Sequence, residues 1–340
     1  MRILVTGGAG FIGRPTVERL VAYGHDVTVL DLVRPAPRPG EVTAVPGASL
    51  VVGDVRDEDT LLPAVRGSDV VVHLAAKVGL GVDVDDIVDY VSANDLGTAT
   101  VLRVAHRVGV GRVVFASSMV VYGEGAYHCP EHGRVAPGPR RLADLEVGVF
   151  DPRCPRCDAV LVPAVVTEDA PLDPRNVYAA TKVHGEHLLG AWARETSGGA
   201  FALRFHNVYG PGMPRNTPYA GVASLFRSAL AAGRAPRVFE DGAQRRDFVH
   251  VDDVAQAVVA AATADAGPGL VVPLNVGSGT VTTVGGLAQA LADTLDGPAP
   301  VVTGEFRIGD VRHVTASSDR AAQVLGWTAQ IGLRAGLATC

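Results

Sequence analysis

The feature that most constrains this chain is a glycine loop set between a short strand and a helix. Arg2 to Thr6 is an apolar run, Thr6-Gly7-Gly8-Ala9-Gly10-Phe11-Ile12-Gly13 follows at once, and a helical pattern starts near Phe11. Each glycine has a mechanical use: a tight turn, close backbone approach to a pyrophosphate, and close packing of helix on strand. The helix N-terminus behind them offers unpaired N–H groups to an anion. Asp31 ends the next predicted strand, Asp26 to Asp31, at the spacing where a carboxylate accepts hydrogen bonds from an adenosine ribose. A carboxylate there repels a 2′-phosphate, so NAD is expected over NADP; Arg34 nearby is the one group that weakens the preference. The plain alternative, a turn that only tightens a helix, does not account for the strand before and the helix after.

Further predicted strands are Leu50 to Val52, Val70 to Leu74, Arg112 to Ser117 and Phe201 to Phe205, with helices starting near Asp57, Val84 and Tyr178. This alternation predicts an α/β fold, a Rossmann-type doubly wound parallel sheet. After Val208 the pattern is broken by Gly210-Pro211-Gly212 and Pro214, which places a smaller substrate-binding region there. The expected division is a dinucleotide domain over 1–202, rejoined by 247–275, and a substrate region over 203–246 and 276–340. With 340 residues, 47% of them hydrophobic, the chain can bury a large core. A net charge of -6, spread along the chain, argues against a nucleic-acid or membrane-surface binder. Apolar runs are strand-sized, and Met1 leads straight into the first strand, so a cytoplasmic protein is expected.

Basic residues are almost all arginine; the only lysines are Lys77 and Lys182. Arginine substitutes freely on a solvated surface but not where a compact ammonium of tunable pKa is needed. Lys182 follows Tyr178 by four residues, so phenol and ammonium share one helix face, a turn apart. A phenol is a poor base at neutral pH; a neighbouring ammonium and a positive nicotinamide ring both favour the phenolate. Tyr178 is therefore the candidate proton acceptor for a substrate hydroxyl, and Lys182 its electrostatic partner. Lys77 lies just beyond the fourth strand, at the carboxyl edge where ligands bind in such sheets, and is read as either ligand-facing or solvated.

Glu124 to Val166 breaks the alternation, and a structureless loop of that length is improbable in a compact domain. Cys129-Pro-Glu-His132 and Cys154-Pro-Arg-Cys157 give two knuckles that together supply four tetrahedral ligands, the pattern of a structural zinc. His128 is an alternative to His132. Disulfides are the competing reading, which a cytoplasmic chain disfavours. Lying between the strand Arg112 to Ser117 and the helix of Tyr178, the insert is expected at the mouth of the site, as a lid over the substrate.

Taken together, these residues resemble the extended short-chain dehydrogenase/reductase family, in its nucleotide-sugar epimerase and dehydratase branch. Thr6 to Gly13 is similar to that family's glycine motif, Gly53-Asp54-Val55 to its adenine segment, and His73-Leu74-Ala75-Ala76 to the strand beside the cofactor. The resemblance implies cofactor contacts from Gly7, Gly10, Phe11, Ile12, Gly13, Asp31, Asp54, Val55, Leu74, Ala75, Ala76, Lys77, Asn94, Tyr178 and Lys182. Ala116-Ser117-Ser118-Met119-Val120-Val121-Tyr122-Gly123 resembles the strand end that carries the catalytic hydroxyl, which register assigns to Ser118. Substrate contacts are implied for Ser118, Met119, Asn207, Arg246 and Arg307, the two arginines to the diphosphate. A homodimer is implied likewise. The chain stops soon after Gly326-Trp327, so a short or absent last element is expected.

In the family's dehydratases the residues after the catalytic hydroxyl include an acid; here they are Met119 and Val120, which exchange no proton. That favours epimerisation, most often at C4, through a transient ketosugar. A nucleotide-ketosugar reductase is the enzymatic rival, and a dinucleotide-sensing or scaffold protein the non-enzymatic one, although the latter has no need of both Tyr178 and Lys182. The insert and Asn216-Thr217-Pro218-Tyr219-Ala220-Gly221-Val222 resemble those of dTDP-L-rhamnose 4-epimerases, which points to a dTDP-6-deoxysugar.

Overall fold

The computed structural model describes residues 1–32, 45–79, 84–214 and 221–340; Arg34 and Asn216 to Ala220 lie outside them. The strands β1 (Arg2–Thr6), β2 (Asp26–Asp31), β3 (Ser49–Val52), β4 (Val70–His73) and β5 (Arg112–Ser118) join Gly199–Phe205 and Val271–Val276 in one 7-stranded sheet. Its order is Val271–Val276, Gly199–Phe205, β5, β4, β1, β2, β3, and every pairing is parallel. All of β4, Val-Val-Val-His, is buried, as a strand covered on both faces must be. On one face α1 (Gly13–Ala22) and the helix Val251–Thr263 bury Val17, Leu20, Val254 and Val258. On the other, α2 (Glu58–Val65) and the helices Gly97–Arg107 and Val177–Thr196 bury Leu61, Val101, Val104, Leu189 and Trp192. From β1 the chain runs outward to β3, then crosses back to β4. The crevice between the carboxyl ends of β1 and β4 is therefore the topological switch point, where ligands of such sheets bind.

β5 extends one residue beyond its expected end, so Ser118 is its last residue, and the next strand starts at Gly199 rather than Phe201. The segments after Asn207 build a second core around Tyr209, Met213, Phe226, Leu287 and Leu291, with Phe11 of the glycine loop packed against it. Its strands Asn207–Tyr209, Arg245–His250 and Val281–Thr283 form a small sheet. The last helix, Leu333–Leu337, is short but buries Leu337 in that core.

The insert has structure of its own: Ala126–Cys129 pairs antiparallel with Gly133–Val135 and with Val162–Ala164 around a core of Tyr127, Cys129, Val135, Cys154 and Leu161. It is fastened to the substrate region where the Val166 N–H donates to the Thr315 carbonyl (2.8 Å). No helix among the described residues is long and apolar enough to cross a membrane.

Candidate active site

At the switch point the glycine loop lies directly on the chain leaving β4. Gly7 has φ +72°, and a Cβ there would fall 2.7 Å from the Ala75 nitrogen; at Gly13 it would fall 2.1 Å from the Gly7 carbonyl oxygen. Only glycine permits this approach. No side chain caps α1, so its N-terminal N–H groups have no side-chain acceptor. The Asp31 carboxylate accepts from the Ala9 N–H (2.9 Å) at the rim. Uncapped N–H groups, a glycine wall and one rim carboxylate fit the pyrophosphate and ribose of NAD.

Asn94 joins this crevice to the catalytic helix. Its Oδ1 accepts from the Lys77 N–H (2.7 Å), while its Nδ2 donates to the Lys77 carbonyl and to Thr181 Oγ1 (both 3.0 Å). The expectation that Lys77 faces ligand does not extend to its ammonium, which pairs with Asp86 and Asp89 (3.1 Å each). Likewise the Asp54 carboxylate is engaged by Arg56, which holds it below the usual carboxylate range. Val55 is buried against Gly97.

The helix Val177–Thr196 starts where it does because Asn176 Oδ1 accepts from the Ala179 N–H (2.8 Å). That cap sets Tyr178 in the first turn and Lys182 one turn on. Asn176→Ala is expected to cost about 1 kcal/mol, read as a lower midpoint in denaturant titration. Lys182 is buried, its Nζ donating to the Ala116 carbonyl of β5 (2.7 Å) and lying 5.6 Å from the Tyr178 ring centre. Burial of the ammonium pulls its pKa down to about 8. Ser118 lies near enough to Tyr178 to act on its phenol, so β5 and the helix bring all three candidate residues together. The expected lowering of the phenol is not a property of these side chains alone: burial pushes Tyr178 up to about 12, against the pull of Ser118.

Met119 is buried beside Ser118 in a tight turn, with Val120 after it, and neither carries a titratable group. Toward the second core, the Asn207 Oδ1 is buried without a hydrogen-bond partner, as for an atom awaiting a ligand donor. Arg246 donates to the carbonyls of Val311 and Arg312 (2.7 and 2.8 Å). Arg307 is exposed, its guanidinium 5.3 Å from the Phe239 ring centre.

In the insert, Cys129, His132, Cys154 and Cys157 converge, with all four ligand atoms within 4.8 Å of one another. Cys129 Sγ lies 3.5 Å from His132 Nδ1 and 3.6 Å from Cys157 Sγ, and Cys154 Sγ lies 3.7 Å from the same ring nitrogen. A tetrahedron with bonds of about 2.3 Å to sulfur and about 2.0 Å to nitrogen has edges of roughly 3.5–3.8 Å. The sulfurs are unbonded and the cysteines are free. His132, not His128, is the histidine present.

The sequence profile of the NAD dependent epimerase/dehydratase family matches residues 3–141 and 159–277. The chain belongs to that family. The stretch left unmatched, 142–158, falls inside the insert and contains Cys154 and Cys157. Among curated relatives, the dTDP-L-rhamnose 4-epimerase of Burkholderia thailandensis is 36% identical, across 99% of this chain and 93% of its own. The UDP-glucose 4-epimerase of Mycolicibacterium smegmatis is 34% identical, across 99% and 96%. The crystal structure of Thermus thermophilus UDP-glucose 4-epimerase in complex with NAD superposes with a TM-score of 0.79 at 29% identity, covering 100% of this chain and 97% of that one.

Two groups in this epimerase/dehydratase family member escape the sequence reading. Thr181, between the catalytic candidates, receives Asn94 and donates to the Tyr178 carbonyl (2.8 Å). Arg204 and Glu186 form a buried pair below the site (2.6 Å). The signal for the latter is present in the sequence: a lone arginine within the apolar strand Leu203-Arg204-Phe205, and a glutamate one turn after Lys182.

Proposed function

We propose that this NAD-dependent sugar-nucleotide epimerase inverts C4 of a dTDP-6-deoxysugar through a transient 4-keto sugar. The observation that carries the reading is the meeting of Ser118, Tyr178 and Lys182 at the carboxyl end of β5, with no acid at Met119 or Val120. NAD, when bound, supplies the acceptor for the C4 hydride and afterwards its donor. Tyr178 takes the C4 hydroxyl proton as the C–H bond breaks, and returns it when hydride comes back to the opposite face. Ser118 orients that hydroxyl, and the buried Lys182 ammonium favours the phenolate. Asn207 contacts the sugar nucleotide, and Arg246 and Arg307 hold its diphosphate while the sugar turns over. The dTDP-sugar preference takes its support from the insert and the Burkholderia relative.

The test is to release and identify the bound nucleotide, then incubate the protein with dTDP-L-rhamnose and no added cofactor. The C4 epimer forming without net change in NADH supports the reading; stoichiometric consumption of NAD(P)H makes the protein a ketosugar reductase instead.

The cysteine and histidine cluster is read as a structural zinc site, since the four ligands close the coordination sphere and leave no position for substrate. One zinc per chain is expected by metal analysis, falling to none in Cys154→Ser/Cys157→Ser; a metal-free wild type ends the assignment. We place the protein in the cytoplasm, where such thiolates stay reduced. A homodimer is supported by the exposed apolar side chains of Val84, Val88, Val91 and Leu96 around Asn94.

A further inference from the structure

We propose that Arg312 is a positioning residue for the diphosphate subsite, and that through it the cysteine–histidine insert sets the aim of Arg246. The inference rests on the reading of Arg246 as a diphosphate ligand.

Arg312 is only 1% exposed. Its guanidinium meets both oxygens of Asp241 (2.8 Å each), Glu240 (2.7 Å) and, from the insert, Asp151 (3.1 Å). Phe150 of the insert lies against it, 5.7 Å from its ring centre. The backbone of the same residue faces the other way. Its N–H donates to Glu124 (2.8 Å), and its carbonyl, with that of Val311, accepts the two Nη groups of Arg246. The carbonyls that aim Arg246 are thus fixed by a side chain whose partners lie partly in the insert.

A second clamp repeats the arrangement. Arg140 of the insert donates to Glu240 (2.7 Å) and to the Asp310 carbonyl (2.6 Å). His313 accepts from the Arg245 N–H through Nδ1 (3.0 Å), so its Nε2 carries the proton and donates to Asp151 (2.7 Å). Both flanks of the segment from Asp310 to His313 are therefore held by insert residues.

Arg246 spends three N–H donors on carbonyls, one of them its neighbour Arg245's, and keeps Nε–H and one Nη2–H for a ligand. An arginine immobilised in advance loses little side-chain freedom on meeting a phosphate, and two donors in a plane match two phosphate oxygens. Buried ion pairs are poor devices for stability alone, because apolar packing of equal volume serves as well. What the charges add is direction.

The test titrates full-length protein with dTDP and with UDP by calorimetry, with bound NAD measured alongside. Arg312→Lys keeps the buried charge but cannot span Asp241 and Asp151 together. Asp151→Asn, at a side chain 40% exposed, is the milder variant if the first does not fold. Each is expected to weaken the tighter nucleotide about tenfold, as for the loss of one well-oriented contact, with NAD content unchanged. In an Arg246→Gln background, Asp151→Asn should weaken binding no further, since its effect runs through that guanidinium. Wild-type affinity in the variants, an undiminished Asp151→Asn effect without Arg246, or loss of NAD in parallel overturns the proposal. A wild type that binds neither dTDP nor UDP overturns the diphosphate reading itself.

Discussion

Phenylalanine at Tyr178 is expected to lower kcat by about 10²–10⁴-fold, the range for a positioned acid–base group, with the fold and NAD content retained. Lys182→Met should also lose activity, but with the opposite effect on stability. Burial holds the Lys182 pKa at about 8 in the folded chain, against about 10.4 unfolded. Between those values the unfolded chain keeps a proton that the folded chain releases, so stability rises with pH through that window; below about 8 the full penalty for a buried ammonium is present. Methionine removes that penalty at the expense of one hydrogen bond to Ala116. A net gain of about 1–2 kcal/mol at pH 7 is expected, seen as a higher calorimetric midpoint, shrinking by pH 9.5. A lower midpoint at pH 7, or a gain independent of pH, would show that the ammonium is not held at a cost. Full turnover by Tyr178→Phe would remove the phenol from the mechanism.

Arg204→Met should be strongly destabilising, by about 3–5 kcal/mol in urea unfolding, as when one partner of a buried ion pair is removed. Arg204 meets both oxygens of Glu186 (2.9 and 2.6 Å), the Tyr122 hydroxyl (2.8 Å) and the Glu168 carbonyl (2.9 Å). Glu186 also accepts from Ser117, and the Tyr122 hydroxyl donates to Asn275 (2.7 Å). Without the guanidinium a carboxylate is left buried and uncompensated. Arg204→Met/Glu186→Leu should recover most of the loss, because the deficit belongs to the pair. A near-neutral single variant would mean that water or a rearranged partner reaches Glu186. The network lies immediately below the catalytic candidates: Ser117 precedes Ser118, and Glu186 follows Lys182 by one turn.

What a sequence displays well is local. The glycine loop, the alternation of β1 to β5 with helices, and the Tyr178–Lys182 spacing are short-range patterns, since each follows from periodicity or from a position only glycine can fill. Convergence of Cys129, His132, Cys154 and Cys157 was legible too, because knuckle spacing is itself the geometry. Partners far apart in the chain were not. Nothing near Lys77 says that Asp86 and Asp89 take its ammonium, nor does Asp54 declare that Arg56 engages it. The elevation of Tyr178 depends on how much water the fold excludes, which no spacing encodes. Arg312 illustrates the same limit: in Arg307-Ile-Gly-Asp310-Val-Arg312 attention goes to the first arginine, and only the packed structure shows the second buried among carboxylates from three segments.

Ala126 pairs with Ala164 across the base of the insert. The polypeptide therefore leaves the scaffold and rejoins it at neighbouring points, whatever length it travels between. A module stitched shut at its neck can change in length without altering the separation of the strand of Ser118 and the helix of Tyr178, as long as Arg140 and Asp151 still reach the segment from Asp310 to His313.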